Sequence, residues 1–174
     1  MAKKTYKGTL GKRGIEAIIR KVEKYRSELP NKVTLLANRL AEKGVDVAQV
    51  RLGTYDAIFT GELIRNIFAE GSSSGAKAVF FVVADSRHAA FVEFGTGQLG
   101  MEGGYPHPFP EGVEWNYNSG EKIFEFETGE YGWFYIGNDG KLYFTKGMPS
   151  RPFMYETSLR LQELVVKTAK EVFR

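Results

Sequence analysis

The chain has 174 residues and a mass of 19.6 kDa, is 43% hydrophobic and 26% charged, and carries a formal net charge of +3. That is enough chain for one domain with its own core, and no apolar run approaches the roughly 18–20 residues that span a bilayer, so no membrane partner is expected. Cysteine is absent, which excludes disulfides, thiolate catalysis and cysteine-ligated metal and suits a cytoplasmic origin.

The first residues, MAKKTYKGTLGKRG, are basic without an apolar stretch behind them, which is not the pattern of a secretory leader. Residues 1–43 hold twelve Lys/Arg against four Glu, whereas the remainder holds twelve basic against seventeen acidic residues. A basic first quarter of this kind meets nucleic acid, meets the acidic part of a neighbouring copy, or is a solvated helix surface. From Gly14 to Lys43 the apolar residues recur at helical spacing. Ile15, Ile18, Ile19, Val22 and Leu29 form one stripe, and Val33, Leu36, Ala37, Leu40 and Ala41 another. Pro30 between them implies one kinked helix or two helices meeting there, and Gly44 is placed to end the second.

Thr60-Gly61-Glu62-Leu63-Ile64-Arg65 has the form of a short helix with Thr60 as its cap. The run KAVFFVVA, Lys77 to Ala84, is β-branched and aromatic and predicts a strand. Before it, Gly71-Ser72-Ser73-Ser74-Gly75 spells G-x-S-x-G, the nucleophile elbow of serine hydrolases. An elbow needs a strand before the serine and a helix after it. Here a strand follows, so the stretch predicts a flexible hairpin loop.

Residues 86–94 predict a short helix with Ala89, Val92 and Phe94 partly buried. Gly95-Thr96-Gly97-Gln98-Leu99-Gly100 then spells G-x-G-x-x-G. A dinucleotide fingerprint requires a strand before its glycines and a helix N-terminus after them. The Gly- and Pro-dense chain from Gly95 to Gly120 predicts loop instead, and no cofactor is expected. Further on, 122–127, 132–136 and 141–145 alternate aromatic and polar residues, and Gly137-Asn138-Asp139-Gly140 predicts a hairpin turn between the last two. Residues Pro152 to Phe173 form an amphipathic pattern with Phe153, Leu161, Leu164, Val165, Thr168 and Val172 on one face.

Few residues offer chemistry. His88 and His107 are far apart, and His88 and Glu93 have no helical ligand spacing, so no metal site is expected. Glu93 lies between Val92 and Phe94, and a carboxylate buried there needs donors. The amides of Gly95-Thr96-Gly97, or Arg151 from a distance, are the expected sources, making Glu93 a structural anchor rather than a catalytic group. Trp115, Trp133 and the neighbouring Tyr and Phe could stack on sugars or bases. The stretch from Asp85 to Ser150 is, however, acidic, with ten Asp/Glu against four Lys/Arg, which disfavours a nucleic-acid backbone and favours sheet packing or a protein interface.

Three stretches resemble one family. His88 to Gly97, HAAFVEFGTG, is similar to the signature of siphophage neck and minor tail proteins, in which a Tyr-Ala pair precedes Val-Glu-Phe-Gly-Thr. Gly147 to Met154, GMPSRPFM, resembles its second block, a Pro-x-x-Pro-Phe that opens the last helix, and Thr60-Gly61-Glu62-Leu63 resembles its Thr-Gly-x-Leu helix start. His88 stands where the family usually has Tyr, Glu156 where a second proline is common, and residues 98–145 resemble an insertion. The resemblance implies a non-enzymatic structural protein of a tailed bacteriophage or prophage that completes the tail or joins it to the head. Tail-completion and head–tail joining proteins of this kind act in a homo-oligomeric ring around the DNA channel, with tail-tube or head-completion proteins as partners. The expected place is the virion, after assembly in the bacterial cytoplasm, and a tail terminator ring is the near alternative. A carbohydrate- or nucleic-acid-binding module is the alternative of another class. The implied fold-determining residues are Glu93, Phe94, Gly95, Thr96, Gly97, Arg151, Pro152 and Phe153. Lys3, Lys4, Lys7, Lys12 and Arg13 are candidates for contact with double-stranded DNA or a neighbouring subunit. The expected architecture is a single α+β domain over residues 1–174: a kinked N-terminal helix and a C-terminal helix packed on a mixed or antiparallel sheet, with an inserted β-hairpin region.

Overall fold

In the computed structural model the described residues are 5–9, 11–57, 61–106, 108–117, 124–125, 127, 129, 131–137 and 139–173. Lys3, Lys4, Thr60, His107 and Asn138 therefore lie outside them. In chain order the elements are α1 (Lys12–Thr54), α2 (Glu62–Arg65), β1 (Ile67–Ser74), β2 (Lys77–Ala84), α3 (Ala89–Phe94), α4 (Gly97–Gly103), β3 (Phe124–Glu125), β4 (Tyr131–Ile136), β5 (Leu142–Thr145), β6 (Gly147–Met148) and α5 (Phe153–Val172). This is the expected α+β class, with a long helix near each end and small antiparallel sheets between. The chain divides into two compact units, one of residues 1–46, 68–83 and 159–174 and the other of residues 47–67 and 84–158.

In the first unit, α1 runs through Pro30 without a break in its helical assignment. Pro30 lacks an N–H, and its own carbonyl accepts the Thr34 hydroxyl at 3.1 Å in addition to backbone bonding. Gly44 does not stop the helix. A Cβ placed on it would lie 2.6 Å from Val82 of β2 and 3.1 Å from Leu161 of α5, so glycine is there to let a strand and a second helix approach α1 closely. Lys43 on the neighbouring position donates to the buried Thr168 hydroxyl at 2.9 Å and pairs with Glu171 at 3.4 Å, which gives that hydroxyl of α5 a partner.

β1 and β2 form a two-stranded sheet, antiparallel because only two residues join them. Most of the Gly71–Gly75 stretch belongs to β1 itself and only Gly75 and Ala76 turn the chain, so the expected flexible loop is a paired strand. Strand pairing consumed the segment because the polar serines sit on an exposed two-stranded ribbon, where nothing demands apolar side chains. Val165, expected inside, is exposed. Phe153, Thr168 and Val172 of the expected face of α5 are buried, Leu161 and Leu164 are half-buried, and Thr157 is buried besides.

The second unit takes the C-terminal end of α1, where Ala48 and Leu52 are fully buried. Gln49 donates to the Ile64 carbonyl at 3.2 Å, tying α1 to the short α2, whose cap position is occupied by Gly61. Asp85 N donates to Asn66 O at 2.9 Å and leads the chain into α3. β3, β4 and β5 make a three-stranded antiparallel sheet in that order, with Trp133 opposite Thr145, Phe134 opposite Phe144, Tyr135 opposite Tyr143 and Ile136 opposite Leu142. The hairpin expected from the Gly137–Gly140 turn is present. Asp139 accepts from Lys141 N at 3.1 Å and from the Tyr143 hydroxyl at 2.8 Å, which closes the turn. Of the described residues in the strand expected over 122–127, Phe124 and Glu125 form β3 and Glu127 lies in a turn.

Candidate functional site

Helix α5 begins at Phe153 just after Pro152, and its first N–H groups have no partner within the helix. Each finds one. Pro152 has no N–H to satisfy, Phe153 N donates to Arg151 O at 2.7 Å, and Glu156 N donates to Pro152 O at 2.9 Å. Met154 N and Tyr155 N donate to the two oxygens of Glu93, at 2.8 and 3.0 Å. A carboxylate some sixty positions earlier in the chain thus caps α5, as an Asp or Ser at the cap position does elsewhere. Negative charge at a helix N-terminus also suits the helix dipole.

Glu93 is 6% exposed. Desolvation pushes its carboxyl above the ordinary carboxylate value, and the two amides and the Tyr105 hydroxyl, 3.4 Å away, pull it back part of the way. Burial and the same carboxylate raise the Tyr105 phenol to about 12, so it stays a donor throughout the neutral range. Beside this cap, Glu156 receives the Tyr55 hydroxyl at 2.5 Å and lies 3.0 Å from Arg51 Nε. Tyr55 too is raised to about 12, by burial first and by Glu156 second.

The donors to Glu93 are therefore neither of those the sequence suggested. Gly95 N donates to Phe91 O and Gly97 N to Tyr117 O, both at 2.9 Å, so the turn amides are engaged elsewhere. Arg151 contributes its backbone N–H, to Val92 O at 2.8 Å. The anchoring role expected for its guanidinium falls to the amides of α5, because the helix start lies directly against α3 and offers two aligned donors. Ser150 adds its hydroxyl to Glu93 O at 2.7 Å.

The glycines of the G-x-G-x-x-G stretch serve a backbone contact. Thr96 bridges to Met148 and Gly97 to Gly147, and Met148 N donates to the Thr96 hydroxyl at 3.2 Å. Gly97 has φ of 64°, and a Cβ on it would lie 2.4 Å from Lys146 O and 2.9 Å from the Trp133 ring. A side chain would push β6 and β4 away. A helix, α4, does follow these glycines, contrary to the expectation of loop. It was hidden because its sequence, GQLGMEG, is short and three-sevenths glycine. Its leading amides are already used, Gly97 N by Tyr117 O and Leu99 N by Lys146 O, and a helix rather than a strand precedes them.

The aromatic residues pack chiefly on one another. Phe94 lies 5.0 Å from Tyr105, 5.4 Å from Phe109 and 5.2 Å from Trp115, centre to centre, and Trp115 Nε1 donates to Gly95 O at 2.9 Å. Trp115 is thereby committed to the turn it flanks. A cavity of about 440 Å³ opens beside the cap, lined by Glu93, Phe94, Tyr105, Phe153, Met154 and Tyr155 among others. Glu93 is its sole carboxylate among the described lining residues, and three donors already hold it.

Ser73 is an exposed residue within β1, not at a strand-to-helix turn. His88 sits exposed at the N-terminal boundary of α3. Lys7, Lys12 and Arg13 are exposed before and at the start of α1. Among the described residues there is no group of His, Cys, Asp and Glu suited to a metal ion, and no helix is long and apolar enough to cross a membrane. Sequence reasoning missed Tyr105, Tyr55 and Arg51, whose partners are far along the chain. It also missed that the hairpin side chains Phe134, Tyr135, Ile136, Leu142, Tyr143 and Phe144 are all exposed. Compared with protein-family models, curated proteins and solved structures, the chain matches none.

Proposed function

We propose that this chain is a non-enzymatic structural protein of a tailed bacteriophage or prophage, which completes the tail or joins it to the head as one subunit of a ring around the DNA channel. One observation carries the reading. The two longer sequence blocks that resemble the neck and minor tail family, HAAFVEFGTG and GMPSRPFM, meet in a single junction through the Glu93 cap, the Ser150 and Arg151 bonds and the Thr96–Met148 and Gly97–Gly147 bridges. Their polar groups are spent on each other, as suits a motif that sets a fold rather than one that holds a ligand.

Exposed apolar surface supports an assembly role. Large apolar side chains stand exposed on α1, on β2 and on the β4–β5 hairpin, and surface of that kind is characteristic of proteins that are buried by partners. Ring formation needs unlike faces in contact, and the basic first quarter and the acidic stretch over 98–145 provide them.

The test is native mass measurement with negative-stain imaging of the purified chain, alone and mixed with tail-tube and head-completion proteins. Closed rings, formed alone or on a partner, are expected. A ring that caps tube ends and limits tube length would reassign the protein as a tail terminator. A monomer indifferent to every phage partner would sink the proposal.

A further inference from the structure

Glu93 accepts hydrogen bonds from Met154 N at 2.8 Å, Tyr155 N at 3.0 Å and the Tyr105 hydroxyl at 3.4 Å. None of these donors is a cation, and Glu93 takes part in no ion pair among the described residues. The charged side chain that acts on its carboxyl is a second carboxylate, Glu156, which already lies 3.0 Å from Arg51 Nε. Desolvation outweighs the two amides and the hydroxyl together, so the carboxyl stays raised. The cap thus meets the hydrogen bonding of a carboxylate that is 6% exposed and leaves its charge without a counter-ion. Buried charges are ordinarily paired, because dipoles offset only part of the cost of leaving water.

The cavity of about 440 Å³ reaches this carboxylate. Phe94, Tyr105 and Tyr155 line it with rings set at steep angles. Tyr105 meets Phe94 at 66° with centroids 5.0 Å apart, and Tyr155 at 70° with centroids 5.9 Å apart. Ala84, Ala89, Ala90, Pro110 and Met154 make much of the remaining wall apolar.

That lining selects among guests. Aromatic walls around one carboxylate suit a positive head on a hydrocarbon body. A metal ion would find a single carboxylate there and no histidine or aspartate among the described lining residues. An anion would be repelled, and a neutral apolar guest would leave the charge unanswered.

We propose that the cavity beside the start of α5 binds an alkylammonium group, with its hydrocarbon among Phe94, Tyr105 and Tyr155 and its charge against Glu93. Oε2 of Glu93 takes one amide only, so it has room for an N–H of the guest. The group arrives either as the side chain of a lysine on a partner protein or as a free amine. This site goes beyond the assembly role proposed above and does not depend on it.

The probes are n-butylammonium chloride, which reproduces a lysine side chain, n-butanol, which has a neutral head on the same body, and the tripeptide N-acetyl-Ala-Lys-Ala-amide. Binding is followed on the full chain by the NMR signal of the Met154 methyl, which lines the cavity. A saturable shift is expected with n-butylammonium at about tenfold lower concentration than with n-butanol. That preference should vanish in Glu93→Gln. Ala90→Phe replaces an exposed lining residue that takes no part in the cap. It should fill the cavity and abolish both responses without moving the melting midpoint. A tripeptide that binds at least as tightly as n-butylammonium would identify a partner's lysine as the source. A response to n-butylammonium without one to the tripeptide would identify a free amine. Equal affinity for amine and alcohol in the parent would overturn the proposal, as would no saturable response to the amine, or one that survives Ala90→Phe. Should Glu93→Gln fail to fold, the alcohol comparison and Ala90→Phe still decide. Ring formation enters none of these outcomes, so this site and the assembly role fail separately.

Discussion

The Glu93 junction and the β4–β5 hairpin belong to the same compact unit and use their side chains in opposite ways. At the junction the buried Glu93, Gly95, Thr96 and Gly97 meet the half-buried Gly147 and Ser150 from a distant part of the chain, and each donor at the start of α5 is matched. In the hairpin the contacts are local, between paired strands and across a four-residue turn, while six large side chains face solvent. The difference separates two jobs. The junction ties distant segments together, whereas the hairpin is held by its own strand pairing and turn and keeps large side chains exposed.

Substitutions can break or sharpen this division. The largest effect is expected at Gly97→Ala, where the backbone has positive φ and the added carbon would collide with Lys146 O. Strain and steric overlap together should cost about 3–5 kcal/mol, read as a large fall in denaturant midpoint. A midpoint within error of the parent would show that β6 can move aside and that the junction is not tightly built.

Glu93→Ala removes the acceptor of Met154 N and Tyr155 N, leaving two donors at a helix start without their partner. A loss of about 2–3 kcal/mol is expected by chemical denaturation. Full stability in this variant would remove Glu93 from the architecture of α5.

A smaller effect concerns pH. The folded carboxyl of Glu93 is raised above its unfolded value, chiefly by desolvation. The folded state then binds the proton more tightly between those two values, so this group's contribution to stability falls as pH rises from the unfolded value through the folded one. The stability of the parent relative to Glu93→Gln, which cannot titrate, should decline across that interval and level off above it. A difference that increases with pH there would mean that the amides of α5 outweigh desolvation.

The smallest effect on stability is expected from Ile136→Ser in the hairpin, within about 0.5 kcal/mol, because the side chain is largely in water already. Measured at a concentration where the chain is monomeric, a loss above about 1.5 kcal/mol would show that the hairpin face is covered within the chain and would erase the contrast with the junction.

Much of the fold was legible in the residues. The periodic stripes of α1 and α5, the β-branched run of β2 and the glycine turn between β4 and β5 are local patterns, and each became the element it implies. The errors share a cause. Gly44 looks like a helix stop, but a glycine that admits Val82 and Leu161 reads the same in sequence as one that ends a helix. The serines of β1 look like a loop because a two-stranded ribbon exposed to water asks little of its side chains. The α4 helix, seven residues rich in glycine, is stabilised by bonds to Tyr117 and Lys146 rather than by its own propensity.

The candidate site was legible in part. Val-Glu-Phe marks a carboxylate among apolar neighbours that must find donors, and Pro152 marks a helix start that must find acceptors. No periodicity connects the two, since the pairing of Glu93 with Met154 and Tyr155 spans about sixty residues of chain. By itself the sequence determined the class of elements, the charge asymmetry and the need for a buried carboxylate to be satisfied, because these follow from local spacing and from the chemistry of single side chains. Only the tertiary structure decided which amides satisfy it, and which apolar stripes are covered. Ile15 and Ile19 obey the same helical spacing as Ala48 and Leu52, yet the first pair is exposed and the second fully buried. Periodicity states which face of a helix is apolar, and burial depends on whether another part of the molecule arrives there.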